Sequence, residues 1–194
     1  LTGYKTEAAM QIKGVVRVVP LDGRVAVCAE TTYAALQGRT ALNPKWSAGS
    51  HPDLNDGAIE ALLAAGLEQP GVSAKNIGDV RQALAKAART VEGTYTFPYL
   101  SHAQVEPLNC TAQVEAERCR IWAPTQGQTA TQLTAARLTG LPPEKVEVMT
   151  LPAGGGFGLR GEQDAVIDAV LLAKALQRPV KVVWSREDDF MHGY

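Results

Sequence analysis

The 194 residues carry 19 Lys and Arg against 20 Asp and Glu, a formal charge of −1, and the three Trp, three Phe and five Tyr do not interleave with basic clusters. That balance argues against a nucleic-acid surface. No apolar run is long enough to cross a bilayer, the N-terminus lacks the basic start and apolar core of a signal segment, and the length suffices for one large core or two small ones.

In chain order, Thr6 to Lys13 reads as the tail of a helix running into a strand from Val15 to Val19 that has no earlier partner, and Arg24 to Ala29 as a second strand. Thr31 or Thr32 caps a helix ending at Leu42, and Lys45-Trp46 reads as a short strand. Asp56 is expected to cap a helix over Ala58 to Leu67, where Ile59, Leu62, Leu63 and Leu67 recur at helical spacing. Pro70, Gly71, Ser73 and Asn76 mark an exposed loop before Asp79 caps the next helix, Val80 to Ala88.

From Thr90 the texture changes. Val91 to Thr96 alternates as a strand does, Ala112 to Val114 and Arg120 to Trp122 read as paired strands, and Ala130 to Leu138 as a helix stopped by Gly140. Pro142-Pro143 restarts the chain into the strand Val146 to Leu151, and Asp164 to Leu176 forms a helix whose buried face is Val166, Ala169, Val170 and Ala173. Pro179 to Trp184 reads as a buried strand and Arg186 to Asp189 as the solvated cap of a last helix. A first residue Leu1 and strands at both ends without evident partners give the expectation of a piece of a longer polypeptide.

Between the strand at Val146 and the helix at Asp164 stands Ala153-Gly154-Gly155-Gly156-Phe157-Gly158. Three glycines in a row surrender packing and add backbone entropy, which suits either a tight strand-to-helix turn or a main chain that a ligand must approach closely. In the second case the amides are expected to gather into an anion-binding nest with Phe157 as one flat wall. Neither common phosphate pattern fits. Arg160 is followed by Gly161 rather than Lys-Ser/Thr, and Leu159 stands where a dinucleotide fingerprint needs its third glycine.

Cys28, Cys110 and Cys119 are too scattered for a disulfide framework or a Cys-x-x-Cys motif; they read as small buried hydrophobes, with a Cys110–Cys119 pair left open. His51, His102 and His192 lie in separate contexts without zinc spacing, so a metal ligated by protein side chains is not expected.

Four segments in register carry a resemblance: His102-Ala103-Gln104-Val105-Glu106-Pro107-Leu108-Asn109-Cys110-Thr111-Ala112, Trp122-Ala123-Pro124-Thr125-Gln126, Gly154 to Gly158, and Pro179 to Asp188. Together they are similar to the molybdenum hydroxylases of the xanthine dehydrogenase and aldehyde oxidase superfamily, and in order and spacing most resemble the large subunits of the isoquinoline 1-oxidoreductase and membrane-bound aldehyde dehydrogenase type. The resemblance implies an α+β fold, with residues 1–90 as a hammerhead-like α/β region and 91–194 as the N-terminal part of a molybdopterin cofactor-binding domain.

It also implies an oxidoreductase that hydroxylates an N-heterocycle or oxidises an aldehyde with water as oxygen source. The cofactor implied is molybdenum on a molybdopterin, in its cytosine dinucleotide form. Electrons would pass to iron-sulfur clusters on a small 2Fe-2S subunit, with a cytochrome as a further acceptor, in the periplasm or at a membrane, the cytoplasm being the alternative. A cofactor-free globular domain, its glycine run serving packing or anion binding, is the competing reading.

Residue by residue, Gln126 matches the glutamine that hydrogen-bonds an oxygen ligand of molybdenum. Gly155, Gly156, Phe157 and Gly158 match the segment whose main chain lies against the cofactor and whose ring walls the substrate position. Gly161 stands where xanthine dehydrogenases carry a substrate-binding glutamate, so purine specificity is not implied. Of the two arginines that follow Gly-Phe-Gly in isoquinoline-type enzymes only Arg160 is present, to pair with a cofactor phosphate or to lie on the surface at a helix start. His102 and Glu106 are assigned a structural role. The family's glutamate base lies far downstream of the glycine motif, and the chain has no equivalent segment.

Overall fold

A computed structural model describes residues 1–192. The chain divides into two compact units, one formed by Leu1–Gly3 with Lys45–Pro98, the other by Tyr4–Pro44 with the chain from Tyr99 onward.

In the first unit Lys45 makes only an isolated antiparallel bridge to Gly3, rather than the expected short strand. Helix α3 (Asp56–Leu67) is capped by Asn55, whose side-chain oxygen accepts from the Ala58 amide, so Asp56 is the first helical residue instead of the cap. Asp79 does cap α4 (Val80–Lys86), accepting from the Gln82 amide. The loop between them is exposed throughout, as its composition indicates. Leu62, Leu63 and Leu67 on α3 are exposed as well, so helical spacing of leucines marks a face without placing it in a core. Val91 to Thr96 forms no strand: its alternation finds no hydrogen-bonded neighbour, and a lone extended segment has no ladder to hold it.

In the second unit α1 (Thr6–Met10) precedes an antiparallel hairpin of β1 (Val15–Leu21) and β2 (Arg24–Ala29), so β1 takes its partner from the strand that follows it. Helix α2 (Thr32–Leu42), capped by Thr31, lies on this hairpin. Its approach is close because Gly38 has no side chain: a Cβ there would stand 2.7 Å from Val27 Cγ1 and 2.9 Å from Val15 Cγ2.

The main sheet has the order β5-β4-β3-β6. β3 (Asn109–Val114) pairs antiparallel with β4 (Cys119–Ala123) and with β6 (Val180–Val183), while β4 runs parallel to β5 (Val146–Thr150). The parallel pair needs a crossover, supplied by α5 (Gln128–Thr139), which ends at Gly140 in the left-handed conformation. α6 (Asp164–Leu176) packs beside α5 on the same sheet, with Val166, Ala169, Val170 and Ala173 buried as their spacing dictates. Cys110, Ala112, Ile121, Ala135 and Val146 complete this core. The hairpin joins it through Val19 and Cys28 against Leu172, and through Arg24, which reaches Asp164 and Asp168 at the start of α6.

All three cysteines are buried free thiols, and Cys119 faces Val114 rather than Cys110 across the β3–β4 ladder. Burial pushes the Cys110 thiol up to about 12 and Cys119 to about 11, so both pack as protonated small hydrophobes. Helix α7 (Arg186–Met191) is capped by Ser185. Its Asp189 is fully buried, contrary to the solvated cap its charged run suggests. Among the described residues no helix is long and apolar enough to cross a membrane.

Candidate functional site

Because β4 and β5 are parallel and adjacent, the loops that leave their C-terminal ends emerge side by side. The loop after β4 is Pro124-Thr125-Gln126-Gly127; the loop after β5 holds the glycines. They are fastened together by the main-chain N–H of Gln126 donating to the Arg160 carbonyl at 3.0 Å and by buried Thr125, whose hydroxyl donates to the same carbonyl at 3.3 Å. The Thr125 hydroxyl also accepts from the Gly127 amide and contacts the Thr131 hydroxyl, which donates to Gln163.

The glycine loop does not run straight into α6. A 3-10 turn over Leu159–Gly161 intervenes, with the Leu159 amide on the Gly156 carbonyl and the Gly161 amide on the Gly158 carbonyl. Gly155 and Gly158 have φ of +90° and +106°, and Phe157 takes a left-handed φ of +52°, a conformation costing a residue with a side chain about 1–2 kcal/mol. Phe157 is 73% exposed, and its ring folds back so that a Cβ at Gly155 would lie 3.2 Å from its Cε2. Phe157 is therefore a displayed ring held by a strained turn, and no part of a core.

Each of the other glycines in the run makes room for a named side chain. A Cβ at Gly154 would meet Glu106 Cβ at 2.5 Å, and one at Gly156 would meet Gln126 Oε1 at 2.6 Å and Cδ at 2.8 Å. Two of the loop's amides are taken by the chain itself. Gly154 N–H donates to Glu106 Oε2 at 3.0 Å and Gly158 N–H to Gln126 Oε1 at 3.2 Å, so the chain supplies its own carboxylate at one end and its own amide oxygen at the other. With Oε1 accepting in this way, the NH2 group of the exposed Gln126 side chain is the end that can only donate.

Arg160 does not lie on the surface. Its side chain is 2% exposed; Nε donates to the Gly155 carbonyl at 2.5 Å, and Nη2 to the Glu106 carbonyl at 2.6 Å and to Glu106 Oε2 at 2.9 Å. This fork ties the glycine loop to segment 102–107, giving Glu106 the structural role expected of it. The segment is not helical: Ala103 has φ of +48°, which turns Gln104 fully into the interior while His102 Nε2 comes within 3.9 Å of the Cβ position at Gly158.

Burial pushes the Glu106 carboxyl upward, but the Gly154 N–H, the Asn109 side chain, Arg160 and Lys181 outweigh it and leave it below its ordinary value of 4.5. A lowered folded-state value means that the stabilisation is complete above the unfolded value and lost as pH falls through the folded one. Acid is therefore expected to loosen the glycine loop below pH 4.5, read as faster proteolysis within 153–161. Glu106→Gln should show that faster cleavage already at neutral pH and lack the acid-dependent step. A Gln variant that retains the step would assign the titration to another group.

Two participants were not legible in the sequence. Gln104 belongs to a segment that resembles the family but carries no charge to mark its role, and Asp189 sits in a run that reads as solvated. The structure joins them: Gln104 Nε2 donates to Asp189 Oδ1 at 2.5 Å, and Arg186 Nη1 donates to Asp189 Oδ2 at 2.8 Å. Among the described residues no group of three or more His, Cys, Asp or Glu side chains could hold a metal ion.

The family model of the molybdopterin cofactor-binding domain matches residues 67–194. The beta chain of isoquinoline 1-oxidoreductase of Brevundimonas diminuta is 32% identical over 192 residues, covering 94% of this chain and 25% of the relative. The membrane-bound aldehyde dehydrogenase of Gluconacetobacter polyoxogenes is 34% identical over 194 residues, covering 93% and 25%. Quinoline 2-oxidoreductase from Pseudomonas putida 86 has the same fold over 99% of this chain and 30% of its own, with a TM-score of 0.67 at 16% identity. The chain thus spans about a quarter of the length of these two curated relatives.

Proposed function

The chain belongs to the molybdopterin cofactor-binding family, and from that premise we propose that it is part of the catalytic subunit of a molybdenum hydroxylase acting on an N-heterocycle or an aldehyde. The observation that carries this reading is the juxtaposition of the glycine loop Gly154 to Gly158, with its exposed Phe157, and the exposed Gln126 side chain, whose Oε1 accepts from the Gly158 amide. Its residues fit a large group laid against backbone: the loop has no side chain but the exposed Phe157 ring, and two of its glycines adopt φ values that exclude most other residues.

When bound, the molybdenum-pterin group would supply the two-electron oxidation by which substrate R–H and water give R–OH, two protons and two electrons. The chain's own contribution is orientation. Gly155, Gly156 and Gly158 present main chain at close approach, Gln126 offers an uncharged donor that does not titrate, and Phe157 stacks a planar substrate. Arg160 acts by fixing the Gly155 carbonyl and Glu106, and so holds the loop that holds the cofactor. The reading further assigns residues 1–90 to a hammerhead-like region and 91–194 to the start of the cofactor-binding domain, the cytosine dinucleotide form of the cofactor, and electron transfer to a small 2Fe-2S subunit with a cytochrome beyond.

The test is molybdenum content and steady-state kinetics in the full-length enzyme. Gln126→Ala removes one oriented donor and should lower kcat by roughly tenfold or more with metal content retained. Phe157→Ala should chiefly raise KM for aromatic heterocycles by about fivefold, the equivalent of about 1 kcal/mol of stacking. Wild-type kinetics in both variants at full metal occupancy would return the glycine run to a packing role.

A further inference from the structure

The geometry points to Asp189 as a positioning residue for the glycine loop, acting through Gln104. This rests on the proposed function for its link to catalysis, while the positioning itself is independent of it.

A carboxylate with no exposed surface is retained only where both oxygens are matched, and Asp189 takes charge-assisted bonds on each, from Gln104 and from Arg186. Arg186 is itself committed to the same segment, its Nη2 donating to the Gln104 carbonyl at 2.6 Å and the Val105 carbonyl at 2.8 Å. Backbone and side chain of Gln104 are thus both clamped from α7. The clamped residue lies directly against the loop: a Cβ at Gly155 would stand 3.3 Å from Gln104 Cβ and 3.6 Å from its Cα, on the same glycine over which the Phe157 ring folds. Two residues on, Glu106 holds the Gly154 amide and Arg160. Displacing Gln104 is therefore expected to shift Gly155 and, through Glu106, the Arg160 fork.

Gln104 Oε1 is buried without a hydrogen-bond partner among the described residues. The amide is oriented entirely by its donor end, an arrangement that makes the pair testable by exchanging donor and acceptor. Gln104→Glu sets carboxylate against carboxylate. In Asp189→Asn, Gln104 can reverse its amide and accept from the new NH2 group, keeping one bond between the side chains. The double variant Gln104→Glu/Asp189→Asn restores an acceptor facing a donor, with Arg186 still able to bond the Asn oxygen.

In the full-length protein, hydrogen exchange of the amides in 153–158 reads loop position with or without cofactor, and molybdenum content and kcat read its consequence. Gln104→Glu is expected to speed exchange and lower kcat by roughly tenfold with KM nearly unchanged. The double variant is expected to return both to within about threefold of wild type. Three results would overturn the proposal: a Gln104→Glu protein indistinguishable from wild type, a double variant no better than the single, or a loss of thermal stability with loop exchange and kcat unaltered. A wild-type protein without molybdenum would instead defeat the proposed function, leaving the exchange result to decide the positioning role.

Discussion

Arg160→Met is expected to remove both the stability of the glycine loop and the molybdenum content of the full-length enzyme. The methionine keeps the apolar stem in its nearly closed site but deletes a guanidinium that serves three acceptors: the Gly155 carbonyl, the Glu106 carbonyl and the Glu106 carboxylate. The two carbonyls lose a donor that the interior does not replace. Hydrogen bonds to a charged group contribute about 1.5–3 kcal/mol each, and partial relaxation of the half-exposed Glu106 toward water recovers some of this, giving a net loss of roughly 3 kcal/mol. Burial pulls the Arg160 pKa below its ordinary value despite the opposing charges of Glu106 and Asp189. Arg160→Lys, a point charge that cannot fork to Gly155 and Glu106 together, should fall between wild type and Met. A thermal midpoint and molybdenum content unchanged in Arg160→Met would show that the loop holds itself.

Gly156→Ala should reduce turnover as severely as Gln126→Ala, although it adds only a methyl group. That methyl would lie 2.6 Å from Gln126 Oε1 and 2.8 Å from its Cδ, so the amide must leave the Gly158 N–H and its fixed donor direction is lost. Gln126 is exposed and free to swing aside, hence stability should change little while kcat falls by roughly tenfold. In the double variant Gly156→Ala/Gln126→Ala the clash disappears, and the two losses should not add. Additive losses would mean that Gly156 acts by contact with the cofactor and independently of Gln126.

Much of the sheet and the helices flanking it was legible because local signals and tertiary packing agree there. The apolar spacing of Val166, Ala169, Val170 and Ala173 dictates both α6 and its buried face, and Gly140 stops α5 where a left-handed residue is needed. Asn55 displaces Asp56 as a cap because either side chain can accept an amide and only the turn geometry chooses between them. Val91 to Thr96 fails as a strand because alternation specifies a face and not a partner.

The candidate site divides in the same way. By itself the sequence determined the residue types: glycines where backbone must be bare, a ring among them, a glutamine at the end of a strand, and a register of motifs that matches the molybdopterin cofactor-binding family. Only the tertiary structure decided what those groups touch. The parallel β4–β5 pair brings Gln126 to Gly156 and to Gly158, the latter 32 residues away in the chain, and the left-handed Ala103 turns Gln104 inward. Packing buries Arg160, which the sequence left between a cofactor phosphate and the surface, and Asp189, which it read as solvated, as clamps of the loop. The physical reason is that a charged side chain reads as solvated from its neighbours in sequence, whereas its burial is decided by partners 54 and 85 residues away that satisfy it.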